Sequence, residues 1–185
     1  LLLSEVELNK NYALVITTNA GLWRYVIGDT IRFTSKDPYR IRITGRTKLF
    51  INAFGEEVII ENTDEAIRIA SEKTGSSIKD YTVAPVYFSS ADNGAHEWLI
   101  EFEKAPISLE YFTVVLDNAL KSLNSDYEAK RYKDLALRLP VVKKLAEGSF
   151  YEWLKSKGRL GGQYKVPRLS NDRDVVEEIL SIVEA

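Results

Sequence analysis

The chain has 185 residues, of which 45% are hydrophobic and 28% charged, the balance of a globular protein and not of a disordered or fibrous one. Its 25 Lys and Arg against 27 Asp and Glu give a net charge of −2, which excludes a bulk field that draws it to nucleic acid or an anionic membrane. Cysteine is absent and there is one histidine, which excludes disulfides, thiolate nucleophiles and cysteine-ligated zinc.

Residues 12–44 are rich in β-branched and aromatic side chains and are interrupted by turn-forming residues at 19–21, 28–29 and 36–38. This pattern predicts a meander of short antiparallel strands. A few strands cannot bury a core alone, so we expect residues 1–44 to complete a larger sheet supplied by chain outside this sequence.

From residue 55 onward, strand patterns alternate with helical patterns. Asn62 or Thr63 is the predicted cap of the first helix, and Gly75 is its predicted C-terminal glycine. The predicted elements are a strand at 58–60, a helix at 64–73, strands at 81–88 and 97–102 joined by a turn-rich loop at 89–94, a helix at 108–123, a strand near 135–142, a helix near 150–157 and a helix from Asp174.

This order favours an α+β fold, in which helices pack on a mixed or antiparallel sheet, preceded by the β-meander. We therefore expect three parts: residues 1–44, a hinge at 45–52, and an α+β lobe at 53–185. No apolar run approaches the ~20 residues that span a bilayer, and no charged-then-apolar leader opens the chain, so a cytoplasmic protein is expected. The chain begins at Leu1 and has no methionine, so we interpret it as a piece of a longer protein.

Three segments contain side chains that could bind a nucleotide. Asp29 follows Gly28, where a break in the backbone would present a carboxylate able to accept both hydrogen bonds of a ribose diol, although such a pair is more often a simple bulge or turn. Arg46 and Lys48 follow the last meander strand and could meet phosphate oxygens, although basic turn residues are usually solvated.

The third segment is the glycine-rich stretch 161–168, in which Lys165 stands before Val166 and Pro167. It could swing a lysine into a site, but it lacks the spacing of a Walker loop, and a flexible surface connection is the plainer interpretation. The single histidine, His96, has no partner at a recognisable spacing, and the pair Glu56-Glu57 is no acid–base couple because neighbours on a strand point in opposite directions.

In this order, the segments resemble the C-terminal part of the acyl-acid-amido synthetases, the auxin-responsive family within the adenylate-forming superfamily. Residues 17–29 look like the family's Thr-Asn-x-x-Gly-Leu and Tyr-Arg-x-Gly-Asp motifs. Residues 45–58 look like the Gly-Arg segment and the start of the mobile lobe, and residues 162–168 are similar to the late lysine loop. This loop and residues 125–131 are more similar to bacterial members than to plant ones, and residues 23 and 26–27 depart from the plant pattern.

The resemblance implies an enzyme that reacts a carboxylic acid with Mg-ATP to give an acyl-adenylate and then transfers the acyl group to an amino acid. It implies that Asp29 binds the ribose hydroxyls, Tyr25 shapes the nucleotide pocket, Arg46 contacts ribose or phosphate, and Lys165 approaches the α-phosphate and carboxylate oxygens. It implies no metal-binding residues in this chain. The Ser/Thr/Gly-rich phosphate loop and the acid pocket belong to the family's N-terminal domain, so this piece alone is expected to be inactive.

Two other classes stay open at this point. The α+β lobe could be a non-catalytic interaction or regulatory module. Nucleic-acid binding would rest on the basic residues at 40–48, but the acidic pI of about 5.6 and the lack of interleaved exposed aromatics oppose it.

Overall fold

A computed structural model describes residues 1–46, 50–88, 90–134, 136–161 and 164–183. The chain divides into two compact units, residues 1–49 and residues 50–185. Lys48, Ser89, Leu135, Gly162 and Gln163, which the sequence interpretation used, lie outside the described residues.

The first unit is a three-stranded antiparallel sheet with the strand order β1-β2-β3, preceded by a short 3-10 turn at Leu3–Glu5. Its strands are β1 (Asn11–Ile16), β2 (Tyr25–Lys36) and β3 (Tyr39–Arg46). Val6, Ile31 and Phe33 form its small buried cluster. The predicted meander is therefore present, and strand β3 includes the alternating apolar and basic residues at 39–44.

The second unit has a mixed sheet with helices on both faces, which confirms the predicted α+β class. Strands β6 and β7 are antiparallel, and β8 joins β7 in parallel. Its elements are β4 (Phe50–Ile51), β5 (Val58–Ile59), α1 (Ile60–Thr74), β6 (Ser77–Phe88), β7 (Ser90–Lys104), α2 (Leu109–Leu123), α3 (Ser125–Arg131), a 3-10 turn (Tyr132–Asp134), β8 (Val141–Leu145), α4 (Ser149–Ser156) and α5 (Asp174–Val183).

The central strand β7 is buried on both faces. Trp98 and Ile100 belong to the large cluster that includes buried residues of α1 and α2, whereas Leu99 packs with Phe150 and Ile179 of α4 and α5. Residues 94–102 are all buried, so the strand shows no alternation of exposed and buried positions. Burial of each large apolar side chain contributes about 1.5–3 kcal/mol, which makes this strand the centre of the unit's stability.

Several predicted boundaries were wrong. Strand β7 begins at Ser90, inside the predicted loop, and α3 was not predicted at all. Helix α1 begins at Ile60, because Asn62 occupies its third position and accepts a hydrogen bond from the Ile59 amide at 3.2 Å instead of starting the helix itself. Among the described helices, none combines the length and apolar character needed to cross a membrane.

Candidate functional site

Asp29 lies at a bulge of strand β2. Ala13 and Val15 of β1 are two positions apart, whereas their partners Thr30 and Val26 are four positions apart, so β2 carries two extra residues between these pairs. Gly28 is inside the bulge with φ 90°, a conformation that favours glycine. The strand itself continues through this point, so the predicted break is a bulge, a device that re-aims side chains without ending a strand.

Arg46 lies directly across from Asp29 in the β2–β3 pairing, with Gly45 opposite Thr30. The sheet thus places two of the predicted nucleotide residues in register, although they are 17 positions apart in sequence (46 minus 29). Tyr25 begins the same strand β2, opposite Ile16, and its side chain is exposed. Three of the four predicted site residues therefore lie on one small sheet.

A tight turn precedes Tyr25. The Thr18 amide donates to the Leu22 carbonyl at 2.8 Å, and Gly21 has φ 100°. The Arg24 amide then donates to the Thr17 hydroxyl at 3.1 Å, which fixes the start of β2 against the end of β1. Residues 17–22, Thr-Thr-Asn-Ala-Gly-Leu, thus form the connection that sets where β2 begins.

Lys165 belongs to the second unit and is exposed. The residues after it lie along the free edge of β6: the Val83 amide donates to the Arg168 carbonyl at 2.9 Å, and the Ser170 amide donates to the Val83 carbonyl at 3.0 Å. Val166 and Leu169 are buried on this segment, which we call the lysine segment (residues 164–170). The predicted flexible loop is therefore docked on the sheet from Val166 onward.

Sequence reasoning missed a buried pair between Glu56 and His96. Glu56 Oε1 lies 2.8 Å from His96 Nε2, and both side chains are completely buried. Burial raises the pKa of Glu56, but the hydrogen bond and charge of His96 outweigh that effect, so the net shift is below the ordinary value. The residues are 40 positions apart, and no local spacing could have linked them.

The described residues contain no group of three or more His, Cys, Asp or Glu side chains able to hold a metal ion. A carboxylate at a strand bulge, in register with an arginine, has the chemistry to accept hydrogen bonds from a ribose diol and to meet phosphate. The residue types at this point of the sheet are therefore ones that a nucleotide site uses.

The sequence of this chain matches two domains of a known protein family. Residues 61–174 match the GH3 family C-terminal domain, and residues 1–46 match the GH3 family central domain. The chain belongs to the GH3 family. The resemblance inferred from its motifs is thereby confirmed, and all four predicted site residues lie within the two matched ranges.

Among curated GH3 relatives, the chain is 29% identical over 189 residues to the probable indole-3-acetic acid-amido synthetase GH3.1 of Arabidopsis thaliana, covering 95% of this chain and 32% of that protein. It is 26% identical over 193 residues to the indole-3-acetic acid-amido synthetase GH3.8 of Oryza sativa subsp. indica, covering 95% of this chain and 31% of that protein. The chain thus spans about a third of the length of these relatives.

Two solved structures share the fold of this GH3 chain. The GH3.15 acyl acid amido synthetase aligns with a TM-score of 0.75 at 21% identity, over 97% of this chain and 34% of that one. A 2-hydroxyisobutyryl-CoA ligase in the postadenylation state aligns with a TM-score of 0.55 at 17% identity, over 97% of this chain and 36% of that one. The GH3 fold described here is therefore shared with an adenylate-forming ligase.

Proposed function

We propose that this chain is the C-terminal part of an ATP-dependent ligase that activates a carboxylic acid as an acyl-adenylate and conjugates it to an amino acid. The observation that carries the proposal is the match of both GH3 domains in one chain, with Asp29 inside the first match and Lys165 inside the second. The curated relatives are named as amido synthetases of indole-3-acetic acid, which favours a carboxylic acid substrate and an amine acceptor.

In this proposal, the Asp29 carboxylate accepts hydrogen bonds from the ribose hydroxyls, Tyr25 forms a wall of the nucleotide pocket, and Arg46 contacts ribose or phosphate. Lys165 meets the negative charge that develops between the carboxylate and the α-phosphorus, which a fixed ammonium stabilises. A bound Mg²⁺ would supply charge neutralisation of the ATP phosphates. The reaction takes place in the cytoplasm.

We assign residues 1–44 to the end of the large adenylation domain, residues 45–52 to a hinge, and residues 53–185 to the C-terminal lobe. Because the chain spans about a third of its relatives, the acid pocket and the phosphate loop lie in the remaining part of the parent protein. The chain alone is expected to catalyse no adenylation.

The test is carboxylate-dependent exchange of pyrophosphate into ATP, measured on the intact parent protein with a panel of carboxylic acids. Asp29→Ala should lower kcat/KM for ATP about 10- to 100-fold, since it removes hydrogen bonds to a charged acceptor worth about 1.5–3 kcal/mol. Lys165→Ala should lower kcat about 100- to 1,000-fold, as expected for loss of a transition-state charge partner.

Matched controls are Glu7→Gln, an exposed carboxylate in the first unit, and Lys155→Ala, an exposed lysine on α4. Both should retain exchange within about twofold, as expected of exposed surface substitutions. No exchange with any acid would refute the enzyme assignment. Exchange that survives both Asp29→Ala and Lys165→Ala would refute the residue roles instead.

A further inference from the structure

The lysine segment is held to the unit by few backbone bonds. Besides the two amide–carbonyl bonds to Val83, the Thr82 hydroxyl donates to the Pro167 carbonyl at 2.6 Å. A short edge segment with only two backbone hydrogen bonds to the neighbouring strand is easily displaced. Its side-chain contacts therefore determine the position of Lys165. Burial of Val166 and Leu169 anchors the segment, and Arg168, three positions after Lys165, adds polar and aromatic contacts to Asp64, Asp80 and Tyr81.

The Arg168 guanidinium reaches back to the start of helix α1 and across β6. Its Nη1 donates to Asp64 Oδ1, its Nε lies 3.8 Å from Asp80 Oδ1, and its Cζ lies 5.0 Å from the centre of the Tyr81 ring. The Tyr81 hydroxyl donates to the same Asp64 oxygen at 2.7 Å. Arg168 is thus fixed by two carboxylates and an aromatic face, an arrangement that its planar fork suits and a lysine cannot reproduce.

The two carboxylates matter for Lys165 as well. Asp80 belongs to β6, the strand on whose edge the lysine segment lies. Burial raises the pKa of Asp80 above its ordinary value, and the positive charges of Arg168 and Lys165 oppose that rise. Arg168 pairs with Asp64 and Asp80 and so occupies both carboxylates. Without Arg168, the ammonium of Lys165 would be drawn to Asp80 and away from a reacting substrate.

We propose that Arg168 is a positioning residue for Lys165: it fixes the lysine segment on the edge of β6 and keeps Asp64 and Asp80 from capturing the lysine's ammonium. This role rests on the proposed function, because Lys165 is the group whose reaction it serves. Arg168 itself touches no reacting atom.

The test uses the intact parent protein and pyrophosphate exchange. Arg168→Gln should lower kcat about 10- to 100-fold, the loss expected when a reacting group is misplaced by about 1 Å, and should leave KM for ATP within about twofold. Arg168→Lys keeps the positive charge but not the planar guanidinium, so its kcat should lie between those of the wild type and Arg168→Gln. The double variant Arg168→Gln with Asp80→Asn should have a kcat at least about threefold higher than Arg168→Gln alone, because the carboxylate that competes for Lys165 has been removed.

The matched control is Arg173→Gln. Arg173 also bridges two carboxylates, donating to Glu97 at 2.7 Å and to Glu177, and it donates to the Pro85 carbonyl at 2.9 Å. These contacts are thus to β6, β7 and α5 and not to the lysine segment. It should destabilise the unit while leaving kcat for exchange within about threefold. Equal losses of kcat in Arg168→Gln and Arg173→Gln, without rescue by Asp80→Asn, would overturn the proposal, because only general stability would then be at work.

A second measurement separates this proposal from the proposed function. Hydrogen exchange of the Ser170 and Val83 amides and acylation of Lys165 by an amine-reactive ester, both read by mass spectrometry, should change in Arg168→Gln and not in Arg173→Gln. If the wild-type parent catalyses no exchange, the proposed function fails and these two readouts decide the positioning role. If exchange requires Lys165 but neither readout nor kcat responds to Arg168→Gln, the positioning role alone is refuted.

Discussion

Replacing Glu56 by glutamine should destabilise the second unit by about 1.5–3 kcal/mol at neutral pH, the contribution of a hydrogen bond to a charged group. One carboxylate oxygen of Glu56 lies 2.8 Å from His96 Nε2, and the other accepts from the Phe54 amide at 2.7 Å. Glutamine keeps the volume but replaces one oxygen with an NH₂ group, which cannot accept a hydrogen bond. With its oxygen on the Phe54 amide, the glutamine turns its NH₂ group to His96 Nε2, so the bond from the imidazole to a charged carboxylate is lost in a completely buried site.

The stabilisation of the second unit by the Glu56 carboxylate should be lost at low pH. Burial raises the pKa of Glu56, but His96 and the backbone amides bring it below its ordinary value of 4.5 in the folded protein. A carboxyl with a lowered folded pKa contributes stability that is present above the unfolded pKa and is lost as the pH falls through the folded pKa. The difference in free energy of unfolding between wild type and Glu56→Gln should therefore be constant from about pH 6 to 7 and shrink below about pH 4.5.

Urea unfolding followed by tryptophan fluorescence measures this difference. Trp98 and Trp153 are buried in the second unit, whereas Trp23 is 79% exposed, so the change in signal reports mainly the second unit. Glu57→Gln is the matched control, because Glu57 is the exposed neighbour and should change stability by less than about 0.5 kcal/mol. Equal midpoints for the two variants, or a difference that persists unchanged at pH 3, would refute the assigned pairing.

Three other changes test the packing of the second unit by thermal unfolding. Gly94→Ala should cost about 1–3 kcal/mol, because a Cβ there would stand 2.1 Å from the Val86 carbonyl oxygen; a cost no larger than a surface change would contradict that close approach. Ser108→Ala should cost about 1 kcal/mol, since the Ser108 hydroxyl accepts a hydrogen bond from the Tyr111 amide in the first turn of α2, and Ser108→Asp should restore that stability. Arg131→Met should cost about 1–3 kcal/mol, because Asp117 loses its bidentate partner and the Leu137 carbonyl loses a donor, whereas Lys121 and the Tyr127 hydroxyl still bind Asp117; a cost below about 0.5 kcal/mol would contradict this role of Arg131.

Local patterns predicted helix α2 and the start of the final helix well, whereas the start of α1 was predicted four residues too late. Helix α2 lies within one residue of its predicted range, because Ser108 caps it and its apolar stripe has helical spacing. The final helix begins at the predicted Asp174. Strand β7 was predicted too short, because the turn-forming residue types at 89–94 indicated a loop, whereas the strand begins at Ser90.

The sequence by itself determined the family, through the order of its motifs, and the choice of Asp29 and Lys165 as candidate residues. Motif order and local spacing are properties of the chain, and they persist whatever the tertiary structure. Which distant residues meet was decided only by folding. The pairing of Asp29 with Arg46, the burial of Glu56 against His96, and the clamp that Arg168 forms behind Lys165 all join segments between 17 and 104 positions apart. Such contacts depend on strand register and helix packing, which no single local pattern specifies.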